Sequence, residues 1–435
     1  MSDKHKHIAF LCGHFKREKD VSHDTLVKLG WQRHDYDEEE RRRSKRYYYP
    51  EFVDFCYAKS MEEGCVRYTR LVNERITVTS IKRWKNQEQR RVLPPFIVKQ
   101  ITIYFMPQNM VLYSIHVVQQ VSSFDDCSTL MFTLRYIEGF KENRYSEFCR
   151  VAIDPIARVF GLLKGHELYG DYTPLVENGN KLRLFQIVHA ADGSLADEDE
   201  KRRQLYRLAT FMPIANDADY VENSLFAEHQ QQEIERNSVA VFPEWTAFSL
   251  LDTVTILASD SEEQTTNWVR SYFGHIYIHA LFQKACLFDF NNRFKQVLNS
   301  GSRVKETSLV GEYEAFERNC CFNKISYNFL PLLFAESITN SLEINSEMKQ
   351  LYRIMDKERS RNEEISRKRM NSLLLYISFL TLFSAIWDAC SMLNEMFSFE
   401  AHFKSSYLGF RMVVLILALV VGCGLLYLYR RQRKS

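Results

Sequence analysis

Apolar residues alternate partly with polar ones in several runs along the chain, and we interpret these runs as β-strands. The first three are FIVKQITIYF (96–105), MVLYSIHVVQQV (110–121) and STLMFTLRYI (128–137), all rich in β-branched and aromatic residues. CRVAIDPIARVFGLL and KLRLFQIVHA are expected to continue the sheet, and VFPEWTAFSLLDTVTILA returns to it later. The early pattern therefore predicts a sheet of adjacent strands.

A helical period replaces the alternation in three later segments. DEDEKRRQLYRLATFM (197–212) begins with acidic residues, which suits a helix N-terminus. DADYVENSLFAEHQQQEIE (217–235) carries a helical apolar stripe, and residues 267–294 read as one long, aromatic-rich helix. With strands early and helices late, residues 1–340 are predicted to form an α+β domain.

The C-terminal part of the chain predicts one long helix that enters a membrane. No proline follows Pro331, and no glycine lies between Pro331 and Gly409, so a helix can run from about 343 to 387, roughly 68 Å. Its first apolar residues follow a 4, 3, 4 spacing that suits helix–helix packing: Ile344, Met348, Leu351 and Met355. We interpret residues 341–390 as a stalk helix continuing into a first membrane span. The alternative is an amphipathic helix packed on its own domain.

Two apolar stretches near the C-terminus predict a membrane hairpin. Leu373–Trp387 reaches the required ~20 residues once its neighbours are included, and a second span covers 408–429. An outer loop, 391–407, would join them, and a basic tail, 430–435, ends the chain. Basic residues 367–369 and the tail outweigh the loop in positive charge, so both termini and the large domain are expected in the cytoplasm.

Polar residues interrupt the first span where lipid contact favours hydrocarbon. They recur on one side of a helix, and a polar arc inside a membrane must face protein or water. Several copies around an axis could turn the arc into a water-filled pore that favours cations. The predicted pore-lining residues are Asn371, Leu374, Ser378, Thr381, Ser384 and Asp388. The alternative is that the hydroxyls bond only to their own backbone carbonyls.

Composition excludes some classes of partner and site but does not identify a function. Lys+Arg 57 against Asp+Glu 55 leaves no bulk basicity, so no nucleic-acid polymer is expected as a partner. The 10 cysteines include no C-x-x-C pair, which argues against a disulfide framework or a zinc ribbon. The charged run 37–49 is interpreted as a solvated face or loop. His5, His7 and His14 are interpreted as a frayed tail rather than a metal site, and no cofactor is expected.

The segment RKRMNSLLLYISFLTLF, residues 367–383, together with the predicted architecture, resembles the CorA family of membrane proteins. Members of that family enter their first span with a similar Met-Asn, here Met370-Asn371, followed by an apolar run with hydroxyls. The resemblance covers about a hundred C-terminal residues. It implies a homo-oligomer, a pentamer, around a central pore.

One departure from the family pattern lies at the predicted pore mouth. CorA transporters end the first span with Gly-Met-Asn, which binds the hydrated cation. Counting from Met370, Ser391, Met392 and Leu393 stand there, followed by Asn394 and Glu395. These residues form the expected pore mouth, where a divalent cation can bind, but the missing glycine argues against selective Mg²⁺ uptake.

A CorA-like body without that motif, carrying a large cytosolic domain, is similar to the CorA-like effectors associated with type III CRISPR systems. The resemblance implies a multi-pass protein of the bacterial inner membrane that acts in antiviral defence. A nucleotide second messenger would open it, either the conjugate of S-adenosylmethionine with AMP or a cyclic oligoadenylate. The alternatives are a CorA-type transporter of divalent cations (Mg, Co or Ni) and a membrane-anchored enzyme. No H-E-x-x-H or G-x-S-x-G motif supports the enzyme.

A nucleotide ligand would need cations for phosphate, aromatic faces for the base, and acid or amide groups for ribose or an amine. Residues of these types on the predicted elements are expected to converge between the sheet and the helices. The predicted ligand-binding residues are Arg150, Arg202, Arg203, Tyr206, Asp219 and Asn223. The alternative is that each belongs to a surface salt bridge. No glycine-rich phosphate loop is present.

Overall fold

The structure, a computed structural model, describes residues 4–34, 38–84, 87–137, 140, 146–177, 181–191, 198–211, 224–259, 262–300, 303–322 and 324–396. The strands are β1 His5–Lys16, β2 Gln32–Arg33, β3 Val66–Ile76, β4 Thr79–Trp84, β5 Gln87–Val92, β6 Phe96–Phe105, β7 Met110–Val121, β8 Arg183–His189, β9 Ser238–Phe242, β10 Trp245–Leu250 and β11 Thr253–Ala258.

The α-helices are α1 His23–Lys28, α2 Glu38–Ser44, α3 Pro50–Cys56, α4 Phe124–Arg135, α5 Ser146–Phe148, α6 Asp154–Lys164, α7 Glu198–Thr210, α8 Ser224–Asn237, α9 Glu262–Asn267, α10 Ile278–Ser300, α11 Arg303–Cys320, α12 Phe329–Ser341 and α13 Ile344–Met396. Two π-helical stretches, Cys149–Ile153 and Trp268–Tyr277, lead directly into α6 and α10. A short 3₁₀ turn covers Thr173–Leu175.

One mixed sheet organises the domain. In the described part of the chain its strand order is β2-β3-β6-β7-β1-β8-β11-β10-β9, and β4 and β5 form a separate hairpin. Neighbouring strands run antiparallel except β8 and β11, which are parallel. The sheet and its helices make a mixed α/β domain. The predicted presence of both helices and a sheet is therefore confirmed. The order of strands early and helices late is not kept, because β9, β10 and β11 follow helices.

Helices cover both faces of the sheet at its centre. On one face Phe15 of β1 packs edge-on against Phe160 of α6, with ring centroids 5.1 Å apart. On the other, Phe10 stacks at 3.9 Å on Phe273 of the second π-helical stretch. Because both faces are covered, β1 is buried along almost its whole length and shows little alternation.

The strand predictions were right in some runs and wrong in two. The runs 96–105 and 110–121 are β6 and β7, residue for residue, and the run ending at Ala258 holds the end of β9 and all of β10 and β11. The run 128–137 lies in α4 up to Arg135, where that helix ends, and 149–163 lies in a π-helical stretch and α6. Both wrong predictions concern segments buried against the sheet, where apolar and β-branched residues are needed in helices as well.

Capping residues explain the two unexpected helices. The Ser123 side chain accepts the backbone N–H of Asp125, which caps the start of α4. Pro155 stands in the first turn of α6, and Gly165 follows its end with φ of +80°. Proline inside a helix start and glycine just beyond its end are typical helix boundaries.

The helical predictions agree better with the structure. Residues 197–212 contain α7, and 267–294 lie in the second π-helical stretch and α10. The segment 217–235 is helical from Ser224, where α8 begins, and its earlier residues lie outside the described ranges. The charged run 37–49, expected to be a solvated face or loop, contains α2.

The interpretation of the first histidines as a frayed tail was wrong, because β1 begins at His5. His7 sits between Gln119 and Gln186, with ring-nitrogen distances of 2.7 Å and 3.0 Å to their side chains. Burial lowers the pKa of His7 to about 4. These histidines are therefore parts of the central strand, held neutral by their surroundings.

Candidate functional site

The long helix predicted near the C-terminus is present as α13, with 53 residues. At 1.5 Å per residue it is about 80 Å long. It continues through Met396, so residues 391–396 are helical where the sequence suggested the start of a loop. The chain divides into the compact units Met1–Leu351 and Tyr352–Ser435, so the first two turns of α13 belong to the folded domain.

Those first turns, which we call the root of α13, are Ile344–Leu351. Ile344 and Leu351 are buried, at 2% and 0% exposure. Between them Glu347 forms an ion pair with Lys284 of α10, with 2.7 Å between Oε1 and Nζ. The root thus packs on its own domain, as the alternative interpretation of the 4, 3, 4 spacing proposed.

Further along, α13 carries a segment suited to a membrane. Within the described ranges, Glu363–Ala389 is a helical segment that could cross a bilayer by its length and apolar composition. The apolar part of this segment is not buried in the described structure, and Leu373, Leu375 and Ile377 are each more than half exposed. An apolar surface of this extent favours burial, whether against lipid, another chain or residues outside the described ranges. The predicted second span, the tail and the loop beyond 396 lie outside the described residues.

The predicted pore-lining residues all lie on this exposed part of α13. Thr381 donates its hydroxyl to the backbone oxygen of Ser378 at 2.9 Å, so the back-bonding alternative holds at that position. The side chains of Asn371, Ser384 and Asp388 make no hydrogen bond to any residue that the structure describes. At the predicted pore mouth Ser391 and Met392 are exposed, and Asn394 and Glu395 follow on the same helix.

The arginines predicted to bind the ligand lie on the surface, and two of them form ion pairs there. Arg150 pairs with Glu74 of β3 at 2.9 Å, and its side chain is 64% exposed. Arg203 pairs with Glu200 on the same helix at 3.1 Å, while Arg202 is exposed beside it. These contacts match the surface-salt-bridge alternative for Arg150 and Arg203.

The other predicted ligand-binding residues are Tyr206, Asp219 and Asn223, and the structure does not bring Tyr206 together with the arginines into a pocket that it describes. Tyr206 is half-buried and packs beside Phe248, with 6.3 Å between ring centroids. Asp219 and Asn223 lie outside the described residues. None of Arg150, Arg202, Arg203 and Tyr206 lines the cleft described next.

A cleft of about 1000 Å³ opens between α3 and the end of α11, and we call it the α3–α11 cleft. One wall comes from α2, α3 and the residues after them, and the other from the last turn of α11 and the loop that follows. The lining residues are Arg41, Tyr49, Glu51, Asp54, Phe55, Tyr57, Ala58, Lys59, Glu63, Arg318, Asn319, Cys321, Phe322 and Lys324. Its volume lies at the upper end of the range for small-molecule sites.

Charges on the two walls of the cleft are unequally neutralised. The lining holds four cationic and three acidic side chains. On the α3 wall, Arg41 and Lys45 both pair with Asp54. On the α11 wall, the side chains of Arg318 and Lys324 make no hydrogen bond or ion pair to any described residue, and both are exposed. The α11 wall therefore presents two cations that are open to an anion.

Aromatic side chains line both walls of the cleft. Phe322 packs against the ring of Phe55 at 5.7 Å and that of His279 at 5.4 Å. Tyr49 is half-buried and lies against Tyr327, with centroids 4.1 Å apart. The Tyr49 hydroxyl has no hydrogen-bond partner among the described residues. The cleft thus offers flat apolar surface next to its cations.

A buried polar network fixes the wall behind the cleft. The Tyr57 hydroxyl donates to Glu40 at 3.0 Å and lies 3.0 Å from His275 Nε2. The hydrogen bond with His34, together with that from Tyr57, lowers the pKa of Glu40 to about 2 against the opposing effect of burial. Burial lowers the pKa of His275 to about 3. An ionised Glu40 and a neutral His275 therefore hold Tyr57 in one position.

The α11 wall is connected to the root of α13 through α10. The backbone oxygen of Cys320 accepts hydrogen bonds from His279 Nε2 at 2.8 Å and from Gln283 Nε2 at 3.3 Å. The next residue of α10, Lys284, holds Glu347. A movement of the cleft wall can thus reach the root through adjacent contacts.

No protein-family model, curated protein or solved structure matches this chain. The α3–α11 cleft is the part of the site that sequence reasoning missed. The sequence features that could have indicated the cleft are the basic and aromatic residues of KRYYYPEF (45–52) and the lysine and phenylalanine of CCFNK (320–324). These segments are far apart in sequence, and only the fold brings them together.

Proposed function

We propose that this protein is a ligand-gated membrane channel, an effector that a nucleotide second messenger opens in the bacterial inner membrane. One observation carries the proposal. A single helix, α13, has a buried and ion-paired root in an α/β domain and an unburied apolar segment of membrane length. A ligand-driven change in the domain would act directly on a helix with that connectivity.

The polar arc supports a pore rather than a simple anchor. An anchor needs only apolar residues, whereas Ser384 and Asp388 place polar groups on a segment that nothing described covers. In a membrane these groups require water or partner chains. Several copies arranged around an axis supply both, and the resemblance to the CorA family suggests five copies. The basic residues 367–369 favour a cytoplasmic location for the domain.

The first prediction concerns the arc. In liposomes holding the full-length protein, we expect ion flux that depends on the S-adenosylmethionine–AMP conjugate or a cyclic oligoadenylate. Ser378→Leu with Ser384→Leu should reduce that flux at least about tenfold, because apolar rings dewet a pore. The matched control is Phe379→Leu with Ile386→Leu, which lies on the opposite side of the helix.

The outcomes separate the competing functions. Nucleotide-dependent flux that falls in the arc variant but not in the control supports the channel. Mg²⁺ flux that is indifferent to nucleotides would instead identify a divalent-cation transporter. Tight liposomes under every condition would reject the pore, and the domain would then be assayed for turnover of the nucleotide as a membrane-anchored enzyme.

The second prediction concerns the root of α13. Lys284→Met removes the partner of Glu347, whose Oε2 has no hydrogen bond within the described structure. We expect nucleotide-dependent flux to fall about tenfold while nucleotide binding is retained, because coupling energies of this kind are ~1–3 kcal/mol. Flux and binding are measured on the same preparation. The exchanged pair Lys284→Glu with Glu347→Lys should restore flux, and unchanged flux in Lys284→Met would show that the root does not transmit the signal.

A further inference from the structure

We propose that the α3–α11 cleft is a nucleotide site, in which Arg318 and Lys324 hold a phosphate and Tyr49 and Phe322 hold the base. The consequence of binding, but not the binding itself, rests on the proposed function. The site differs from the one expected from sequence on α7 and its neighbours.

The phosphate position follows from the unpaired cations. Arg318 at the end of α11 and Lys324 just after it line the same wall, and neither has an anionic partner in the described structure. Both side chains carry a positive charge on the same wall of the cleft, so an anion that reaches them is bound favourably. A guanidinium and an ammonium bind phosphate oxygens through charge-assisted hydrogen bonds.

The base position follows from the aromatic surface beside those cations. Phe322 precedes Lys324 by two residues, and both line the cleft. Across the cleft, Tyr49 contributes a half-buried ring and a hydroxyl that no described residue binds. Flat heterocycles stack on such rings, and a base can accept or donate a hydrogen bond at the hydroxyl.

Acidic and amide groups supply contacts for the sugar. Glu51, Glu63 and Asn319 line the cleft, and their side chains make no hydrogen bond or ion pair to described residues. Carboxylates accept hydrogen bonds from ribose hydroxyls in many nucleotide sites. By contrast, Asp54 is engaged by Arg41 and Lys45 and belongs to the framework of the wall. The cleft therefore combines cation, ring and ribose-binding groups in a volume that suits a nucleotide.

Binding of a fluorescent trinitrophenyl derivative of ATP to the full-length protein in detergent tests the site, with AMP and inorganic phosphate as competitors. We expect saturable binding that AMP competes more strongly than phosphate, because only AMP reaches the aromatic surface. Arg318→Gln with Lys324→Gln should weaken binding at least about tenfold. Tyr49→Phe should bind more tightly than Tyr49→Ala, since stacking needs the ring.

The matched control replaces the cations that sequence alone selected. Arg202→Gln with Arg203→Gln removes the same charge from α7 and should leave binding unchanged. Loss of binding in this control but not in the cleft variant, or no binding of the probe at all, would overturn the proposal. A cleft that binds while liposomes stay tight contradicts the channel and not the site. Nucleotide-gated flux that ignores Arg318→Gln with Lys324→Gln contradicts the site and not the channel.

Discussion

Replacing Gly64 with alanine is expected to destabilise the domain by about 3 kcal/mol, because overpacking against rigid backbone has few ways to relax. A Cβ at this position would overlap the backbone oxygen of Phe55 and lie 2.9 Å from its carbonyl carbon. The two segments are this close because the N–H of Cys65 donates to the same Phe55 oxygen at 2.8 Å. Phe55 and Glu63 line the α3–α11 cleft, so the substitution should also weaken nucleotide binding.

Gly311→Ala provides the control for this prediction. Gly311 lies on α11 with open space around it, so alanine should stabilise the helix by about 0.5–1 kcal/mol. Both variants are compared with the wild type by denaturant unfolding of the full-length protein, followed by tryptophan fluorescence. Trp31, Trp245 and Trp268 are buried and report on the core. Equal unfolding midpoints for Gly64→Ala and the wild type would contradict the close approach of the two backbones.

Local sequence patterns predicted those helices and strands whose characteristic residues all lie within the element itself. β6 and β7 alternate visibly, and α13 lacks proline and glycine over its length. The polar arc was also visible, because every residue of it lies on one helix. For α4 and α6, composition favoured strands, whereas the cap at Ser123 and the pair Pro155 and Gly165 indicated helices. At these two segments the boundary residues were better predictors than the apolar pattern.

Features that depend on distant residues could not be predicted. The partners of His7 are Gln119 and Gln186, the latter 179 residues away, so nothing near the N-terminus shows that this histidine is satisfied in a core. The α3–α11 cleft joins Tyr49 to Arg318 in the same way. Cations and aromatics are common along this chain, and only the fold distinguishes those in the cleft from those in surface ion pairs such as Arg150.

Acidification below pH 6.5 is expected to destabilise the domain steeply, because several histidines are buried in their neutral form. Burial lowers the pKa from 6.5 to about 4 or about 3 in each of His7, His14, His116, His275 and His279. Below pH 6.5 the unfolded chain binds protons at these positions and the folded chain does not. Stability is therefore full above pH 6.5 and falls as the pH drops toward the folded-state values.

The expected slope is large. Each such histidine contributes about 1.4 kcal/mol per pH unit once the unfolded side chain is protonated, and five of them give about 7 kcal/mol per unit. Typical domains have only ~5–15 kcal/mol of stability in total. Glu40 acts in a separate window, because its stabilisation is lost only as the pH falls below 4.5 toward 2. Denaturant unfolding at about pH 7.5, 6.5 and 5.5 should therefore report mainly on the histidines.

His116→Phe isolates one of these groups. The His116 ring stacks on Phe10 with 4.5 Å between centroids, and its buried Nε2 has no hydrogen-bond partner among the described residues. Phenylalanine keeps the stacked ring and removes the titrating nitrogen, which also faces the positive charge of Lys99. We expect the variant to lose about 1.4 kcal/mol less stability per pH unit than the wild type between about pH 6.5 and 5.

An exposed histidine supplies the comparison. His166→Gln changes an exposed histidine, so comparing the two variants separates the loss of the buried His116 nitrogen from the loss of any one histidine. A slope that His116→Phe leaves unchanged would mean that His116 takes up its proton in the folded state. The stacked contact between His116 and Phe10 would then have to open on acidification. The packing around β1 would be less rigid than the short ring distances indicate.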